Sequence, residues 1–155
     1  MRFVVSMFAV AALAVQAQAQ VPAGFHVWKA ADIAAKGKSL SQKLDAQKVA
    51  SEVIAKDGNR RFMVAHREGS GIAEWHEKEA DIMIISAGNV TLIYGGKVVG
   101  GKQTEPGEIR GPSIQGGTEV VLGAGDVFQI PAKVPHQMKL AAGAQLTYFV
   151  VKVVE

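Results

Sequence analysis

The strongest constraint on the fold is a series of short β-type segments that runs from about Lys48 to Val154. Gly, Pro and Asn turns separate most of them; Gly58-Asn59, for example, joins two segments as a predicted hairpin. Chains with many short strands and such turns fold as β-sandwiches or barrels, so we predict an all-β fold. The predicted strands are 49–55, 60–67, 73–77, 81–87, 90–94, 97–99, 119–122, 126–130, 135–140 and 145–154.

One segment inside this series has no clear periodicity. Residues 100–117 contain Gly, Pro and charged side chains, and we predict a long connection there. Long connections in compact domains are often functional. A solvated excursion without a special role fits the same composition, so both interpretations stay open.

The first residues have the features of a cleaved signal peptide. Arg2 precedes an apolar run over 3–15, and Ala17-Gln18-Ala19 offers small residues to a signal peptidase, with cleavage predicted before Gln20. The run is shorter than the roughly 20 apolar residues that span a bilayer. We therefore expect residues 1–19 to be removed and the protein to be periplasmic or secreted, without stable membrane insertion after cleavage. A retained N-terminal anchor is the alternative.

The rest of the chain is predicted to form an extension and one domain. Residues 20–47 are the N-terminal extension, with a short helix predicted over 30–44 and weakened by Gly37. Residues 48–155 form the predicted barrel domain.

Composition limits the chemistry and the partners. The 155-residue chain has no cysteine, which excludes disulfides and thiolate ligands. Its formal net charge is only +3, and its lysines and arginines are not concentrated in one helix or loop. Nucleic-acid-binding domains carry a basic patch or stripe, so we expect no nucleic-acid partner.

Two clusters of residues carry potential metal ligands. Glu74 and His76 lie two residues apart on a predicted strand, so their side chains point to the same face. Asp81 begins the next strand, and His136 comes from the other half of the chain. A barrel can bring these four into one interior cluster. Imidazole and carboxylate together are suitable ligands for Fe, Mn, Ni, Cu or Zn as divalent ions.

The spacing of these clusters resembles the paired motifs of the cupin superfamily. The first cluster follows that family's His-x-His, Glu and Gly positions at Glu74, His76, Asp81 and Gly88. The second follows its Gly, Pro and His positions; these matches are Gly125, Pro131 and His136. The resemblance implies a jelly-roll β-barrel or double-sheet sandwich, with a short helical N-terminal region, and a divalent transition metal as cofactor. It also implies a homodimer, for which 49–55 and 147–153 are the expected edge strands.

The chain departs from the cupin pattern at several positions. Glu74 replaces the first His, and Asp81 replaces the Glu with a side chain one methylene shorter. Lys133 and Leu140 replace the Gly and Asn of the second motif. Glu74 is therefore open to three roles, as a metal ligand, as a catalytic base of the pocket or as a residue that faces solvent. Asp81 is either a ligand or an acceptor of backbone hydrogen bonds.

Two further residues are candidates for a substrate pocket. His66 shares a strand face with Phe62 and Val64, so it either lines the pocket or packs as a core histidine. Arg110 offers a guanidinium to a substrate carboxylate or forms a surface ion pair.

These patterns lead to two functional hypotheses. The first is an exported, metal-binding cupin that acts on a small molecule, with dioxygenase, isomerase or lyase chemistry at His76, His136, Glu74 and Asp81. The second is a non-catalytic periplasmic cupin that binds a small molecule or a metal in the same pocket. A fold alone does not choose a reaction.

Overall fold

The computed structural model describes residues 21–155, so the predicted signal peptide lies outside the described residues. Within them the chain forms one helix and thirteen strands. In chain order these are α1 (Ala30–Leu40), β1 (Val49–Asp57), β2 (Arg60–Arg67), β3 (Ala73–His76), β4 (Glu79–Ala87), β5 (Asn89–Tyr94), β6 (Lys97–Val99), β7 (Lys102–Glu105), β8 (Glu108–Gly111), β9 (Ser113–Gln115), β10 (Thr118–Gly123), β11 (Val127–Ile130), β12 (His136–Lys139) and β13 (Leu146–Val154).

The strands form two large antiparallel sheets that face each other. Sheet A has the order β1-β2-β13-β4-β11, and sheet B has the order β10-β5-β12-β3-β8-β7. A separate pair, β6 and β9, completes the structure. The main apolar core lies between the sheets and includes Met83, Ile85 and Tyr148 from sheet A and Leu92 and Met138 from sheet B. The predicted all-β double-sheet sandwich is confirmed.

The helix α1 packs on the outer face of sheet A. Ile33 and Leu40 are buried against Val64 of β2. The helix ends at Leu40, four residues earlier than predicted. Gly37, which weakened the prediction, is required by packing: a Cβ there would lie 2.5 Å from Thr147 Cγ2 of β13. Within residues 21–155, no helix has the length and apolar character needed to cross a membrane.

Two expectations about strands are wrong. The segment 100–117 is not a long connection, because it forms β7, β8 and β9. Each of these has only three or four residues, too few to show a period in the sequence. The segment 147–153 is not an edge strand, because β13 pairs with β2 on one side and β4 on the other. The strand β1 does lie at an edge of sheet A, as predicted.

Candidate metal centre

Three neighbouring strands of sheet B bring the motif residues together. His136 of β12 lies opposite Glu74 of β3, and Glu74 lies opposite Arg110 of β8. His76 follows Glu74 on the same face of β3 and lies opposite Glu108. Asp81 reaches the same interior from β4 of sheet A, where its side chain is almost fully buried.

The four predicted ligands form one cluster. One donor atom each from Glu74, His76 and His136 lies within 4.8 Å of the other two. Glu74 Oε2 is 3.7 Å from His76 Nε2. Asp81 Oδ2 contacts both rings, at 3.4 Å from His76 Nε2 and 3.6 Å from His136 Nε2. The structure thus brings together the residues of both motifs.

His136 presents a free ring nitrogen to this cluster. Its Nδ1–H can donate to the Val134 carbonyl oxygen at 3.1 Å, which leaves Nε2 as a lone-pair donor toward the centre. Burial lowers the pKa of His136, and the nearby carboxylates of Glu74 and Asp81 offset this only in part. A neutral imidazole is the form that binds metals, so His136 is in the correct state at neutral pH.

His76 is flanked by carboxylates on both ring nitrogens. Nδ1 bonds to Glu108 Oε2, and Nε2 faces Asp81. Burial by itself would lower the pKa of His76, but the hydrogen bonds to Asp81 and Glu108 raise it to about 9. Without a metal the ring is therefore an imidazolium at neutral pH. With a metal on Nε2, Glu108 would orient the ring through Nδ1–H, as carboxylates do for many metal-bound histidines.

A lysine that sequence reasoning missed lies inside the cluster. Lys152 Nζ is 2.7 Å from Asp81 Oδ1, 3.2 Å from His76 Nε2 and 3.5 Å from Glu79 Oε2. Burial by itself would raise the pKa of Asp81, but the hydrogen bond to His76 and the charge of Lys152 hold it at about 2. The signal was a single charged residue in the β-type run 146–154, which is otherwise apolar apart from Thr147.

Glu108 was missed as well, because its strand was predicted as a connection. It links His76 to Arg110, whose Nη2 is 2.9 Å from Glu108 Oε1. Burial would raise the pKa of Glu108, but His76 and Arg110 lower it. Arg110 also approaches Glu74, with Nη1 3.7 Å from Oε1. The predicted pocket residue Arg110 is thus at the site, where two carboxylates balance its charge.

The cluster forms one wall of a cavity between the sheets. This central cavity has a volume of about 190 Å³ and is bordered by Glu74, Asp81, His136, Arg110 and Lys152 at the metal-ligand end. A second cavity of about 520 Å³ borders His76, Glu108, Arg110 and Lys152. The cluster therefore borders space large enough for a small molecule.

His66 lies elsewhere, contrary to the pocket interpretation of the sequence. It is on the helix-facing side of sheet A, the side on which Val64 packs against α1. Its Nδ1 is 2.9 Å from Thr147 Oγ1, and its Nε2 is 3.3 Å from Glu68 Oε1. The residues of β2 that border the central cavity are the alternate ones, Met63, Ala65 and Arg67.

The donor set fits a divalent transition metal. Glu74, His76 and His136 provide two imidazoles and one carboxylate, a combination used for Fe, Mn, Ni, Cu and Zn. Asp81 is close enough to contribute, although its other oxygen is bonded to Lys152.

Solved structures with the same architecture identify the fold. A protein with a double-stranded β-helix domain from Klebsiella pneumoniae superposes with a TM-score of 0.53 at 13% identity, over 74% of this chain and 86% of that one. The cupin domain of Cnp3 from Schizosaccharomyces pombe superposes with a TM-score of 0.53 at 9% identity, over 70% of this chain and 66% of that one. The chain has the cupin fold. This confirms the fold expected from the motifs.

A third solved structure supports the same fold over a smaller part of its own chain. The cupin fold of this chain also superposes on the DMSP lyase DddQ from Ruegeria pomeroyi with a TM-score of 0.51 at 16% identity. The match covers 73% of this chain but only 52% of the lyase, so the chain spans about half of that protein. No protein-family model matches the sequence, and no curated protein matches it.

Proposed function

We propose that this chain is an exported, metal-dependent cupin enzyme that acts on a small molecule in the periplasm or outside the cell. One observation carries the proposal: Glu74, His76 and His136 place three donor atoms within 4.8 Å of one another, and Glu74 and His136 border the central cavity. The export part rests on the signal-peptide features of residues 1–19.

The metal would be held by His76, His136 and Glu74, with Asp81 as a fourth candidate ligand. When bound, a divalent Fe, Mn, Ni, Cu or Zn ion would supply Lewis acidity toward a substrate oxygen. The protein contributes the surroundings. Val134 and Glu108 fix the two rings through their Nδ1 atoms. Facing sheets exclude bulk water from the ligand atoms, since His76, His136 and Asp81 are each 4% exposed or less.

Proton transfer is the chemistry that the surrounding side chains favour. Glu74 and Lys152 both border the central cavity and lie beside the metal ligands. Glu74 can accept a proton at a carboxylate oxygen and Lys152 can hold one at Nζ. This arrangement supports an isomerase or lyase reaction over a dioxygenase reaction, and one neighbour with the same fold is a lyase.

A non-catalytic binding protein is the second candidate. It is favoured by the ion pair between Lys152 and Asp81, because these residues neutralise each other without a metal or substrate. In that case the cavity would hold a ligand that leaves unchanged.

Metal content tests the proposal. Mature protein, residues 20–155, is purified without chelators, reconstituted in turn with Fe(II), Mn(II), Ni(II) and Zn(II), and measured by mass spectrometry beside a His76→Ala/His136→Ala variant. The matched control is His26→Ala, because His26 is exposed and outside the cluster. We expect near-stoichiometric metal in the parent and in the control but not in the double variant. No metal in the parent after reconstitution would contradict the proposal.

A further inference from the structure

The end of the central cavity away from the metal ligands contains a buried arginine without a charge partner. Arg67 ends β2 and borders the cavity, yet it is only 7% exposed. The other two cations of the cavity wall are paired: Arg110 with Glu108 and Lys152 with Asp81. Among residues 21–155, Arg67 has no carboxylate within 4.0 Å.

The protein gives the Arg67 guanidinium few hydrogen bonds. Its Nη1 donates to the Gly69 carbonyl oxygen over a long 3.4 Å, and its Nε has no partner among the described residues. A buried charge is costly unless it is paired and hydrogen-bonded. This arginine therefore has unused capacity to bind an anion, and a planar guanidinium is well matched to a carboxylate.

The guanidinium lies close to the Gly71 backbone beside the cavity. A Cβ at Gly71 would lie 2.6 Å from Arg67 Nη1, so the guanidinium packs directly against the backbone there. The backbone of Gly71 is fixed at both ends: its N–H donates to the Met138 carbonyl oxygen at 2.7 Å, and its carbonyl oxygen accepts from Gln137 Nε2 at 2.8 Å. Tyr148 also borders this end of the cavity, and its hydroxyl oxygen accepts a hydrogen bond from Arg67, which leaves the Tyr148 O–H free to donate to a ligand.

We propose that the central cavity binds a small carboxylic acid, with its carboxylate on Arg67 and its other end toward His136 and Glu74. The inference rests on the proposed function and specifies its substrate class. The volume of about 190 Å³ limits the ligand. An apolar cavity of about 150 Å³ accommodates benzene, so an acid of benzoate size fits. Between the two polar ends, Met63, Ala65 and Val150 provide an apolar wall for the carbon skeleton.

Benzoate and its neutral isostere benzamide form the test pair. Binding of each to the mature protein is measured by calorimetry, with and without Ni(II). We expect saturable benzoate binding and at least about tenfold weaker benzamide binding, because a hydrogen-bonded charge pair contributes that much or more. Arg67→Met should weaken benzoate binding by a similar factor. Arg60→Met is the matched control, because Arg60 is an exposed arginine of the same strand outside the cavity, and it should bind benzoate like the parent.

A second variant keeps the test decisive if Arg67→Met does not fold. Ala65→Leu leaves Arg67 in place but fills the cavity, so it should also lose benzoate binding. The inference would be overturned if benzoate does not bind, or if benzamide binds as well as benzoate. It would also be overturned if Arg67→Met or Ala65→Leu binds benzoate as the parent does. Metal content is measured on the same samples. If the protein binds benzoate through Arg67 but takes up no metal, the acid site is supported and the metalloenzyme is refuted. If the protein takes up metal but does not bind benzoate, the metalloenzyme is supported and the acid site is refuted.

Discussion

The high pKa of His76 makes metal binding depend strongly on pH. A metal must displace the proton from Nε2 before it can bind there. Because Asp81 and Glu108 raise the pKa of His76 to about 9 despite its burial, the neutral ring is on the order of 1% of the metal-free protein at pH 7. We therefore expect the apparent affinity for Ni(II) to rise about tenfold per pH unit from pH 6.5 to 8.5.

Calorimetric titration of Ni(II) into metal-free protein measures this directly. Titration at pH 7 in two buffers with different ionisation enthalpies gives the number of protons released. We expect about one proton per ion, from His76 alone, because burial lowers the pKa of His136 and keeps that ring neutral. An affinity that stops rising above pH 7, or release of no proton, would refute the assignment of His76 as an imidazolium.

The raised pKa of His76 also predicts that the metal-free protein loses stability as the pH rises. A raised pKa in the folded state contributes stability below the unfolded value of about 6.5, and this is lost as the pH rises through about 9. The urea midpoint of metal-free protein should therefore fall between pH 6.5 and 9. Metal-loaded protein should lack this loss, since the metal replaces the titrating proton on Nε2 and the ring stays neutral. A midpoint that rises over this range in metal-free protein would contradict the structure.

Three variants give further predictions. Gly88→Ala should reduce the free energy of unfolding in urea by about 3 kcal/mol or more, because φ is +89° and a Cβ would lie 2.0 Å from the Gln145 carbonyl oxygen. Its control, Gly143→Ala, has φ +75° but open space around the Cβ, and should cost about 1–2 kcal/mol. Equal losses in the two variants would contradict the packing at Gly88. Lys152→Met should raise Ni(II) affinity about tenfold by removing an ammonium 3.2 Å from His76 Nε2, and an unchanged affinity in the same titration would place the metal elsewhere. Glu108→Gln should weaken Ni(II) binding about tenfold at pH 9, where the proton competes little, because it removes the anion that orients His76; calorimetry that shows no loss would exclude that role.

The sequence predicted the residues whose spacing is local. Glu74 and His76 lie on one strand, so alternation was enough to place them on a common face. Asp81 lies in the opposite sheet, and it was placed with them only because a barrel has one interior. His136 was placed only through the resemblance to cupin motifs, because no periodicity relates it to residues that lie 55 or more positions earlier. The structure brings these residues together through the pairing of β12 with β3.

The rest of the site depends on pairings that have no local signature. Glu108 comes from a four-residue strand within a Gly-rich segment, so its partner β3 could not be inferred. Lys152 lies on a strand whose apolar sequence fits a central or an edge position equally well. His66 was ambiguous for a simpler reason: both faces of β2 are apolar, one toward the helix and one toward the cavity.

The position of β13 has a consequence for how the protein folds. This strand follows every other described strand in the chain, yet it lies in the middle of sheet A. At the paired positions, Phe149 is 85 residues from Val64 of β2 and Val151 is 69 residues from Ile82 of β4. Until residues 146–154 are available, β2 and β4 have no neighbour between them, and Lys152 is absent from the ligand cluster. Early folding on synthesis can therefore join β1 to β2 but cannot close the cavity. A chain shortened before Leu146 would expose two unpaired strand edges and aggregate instead of forming a smaller barrel.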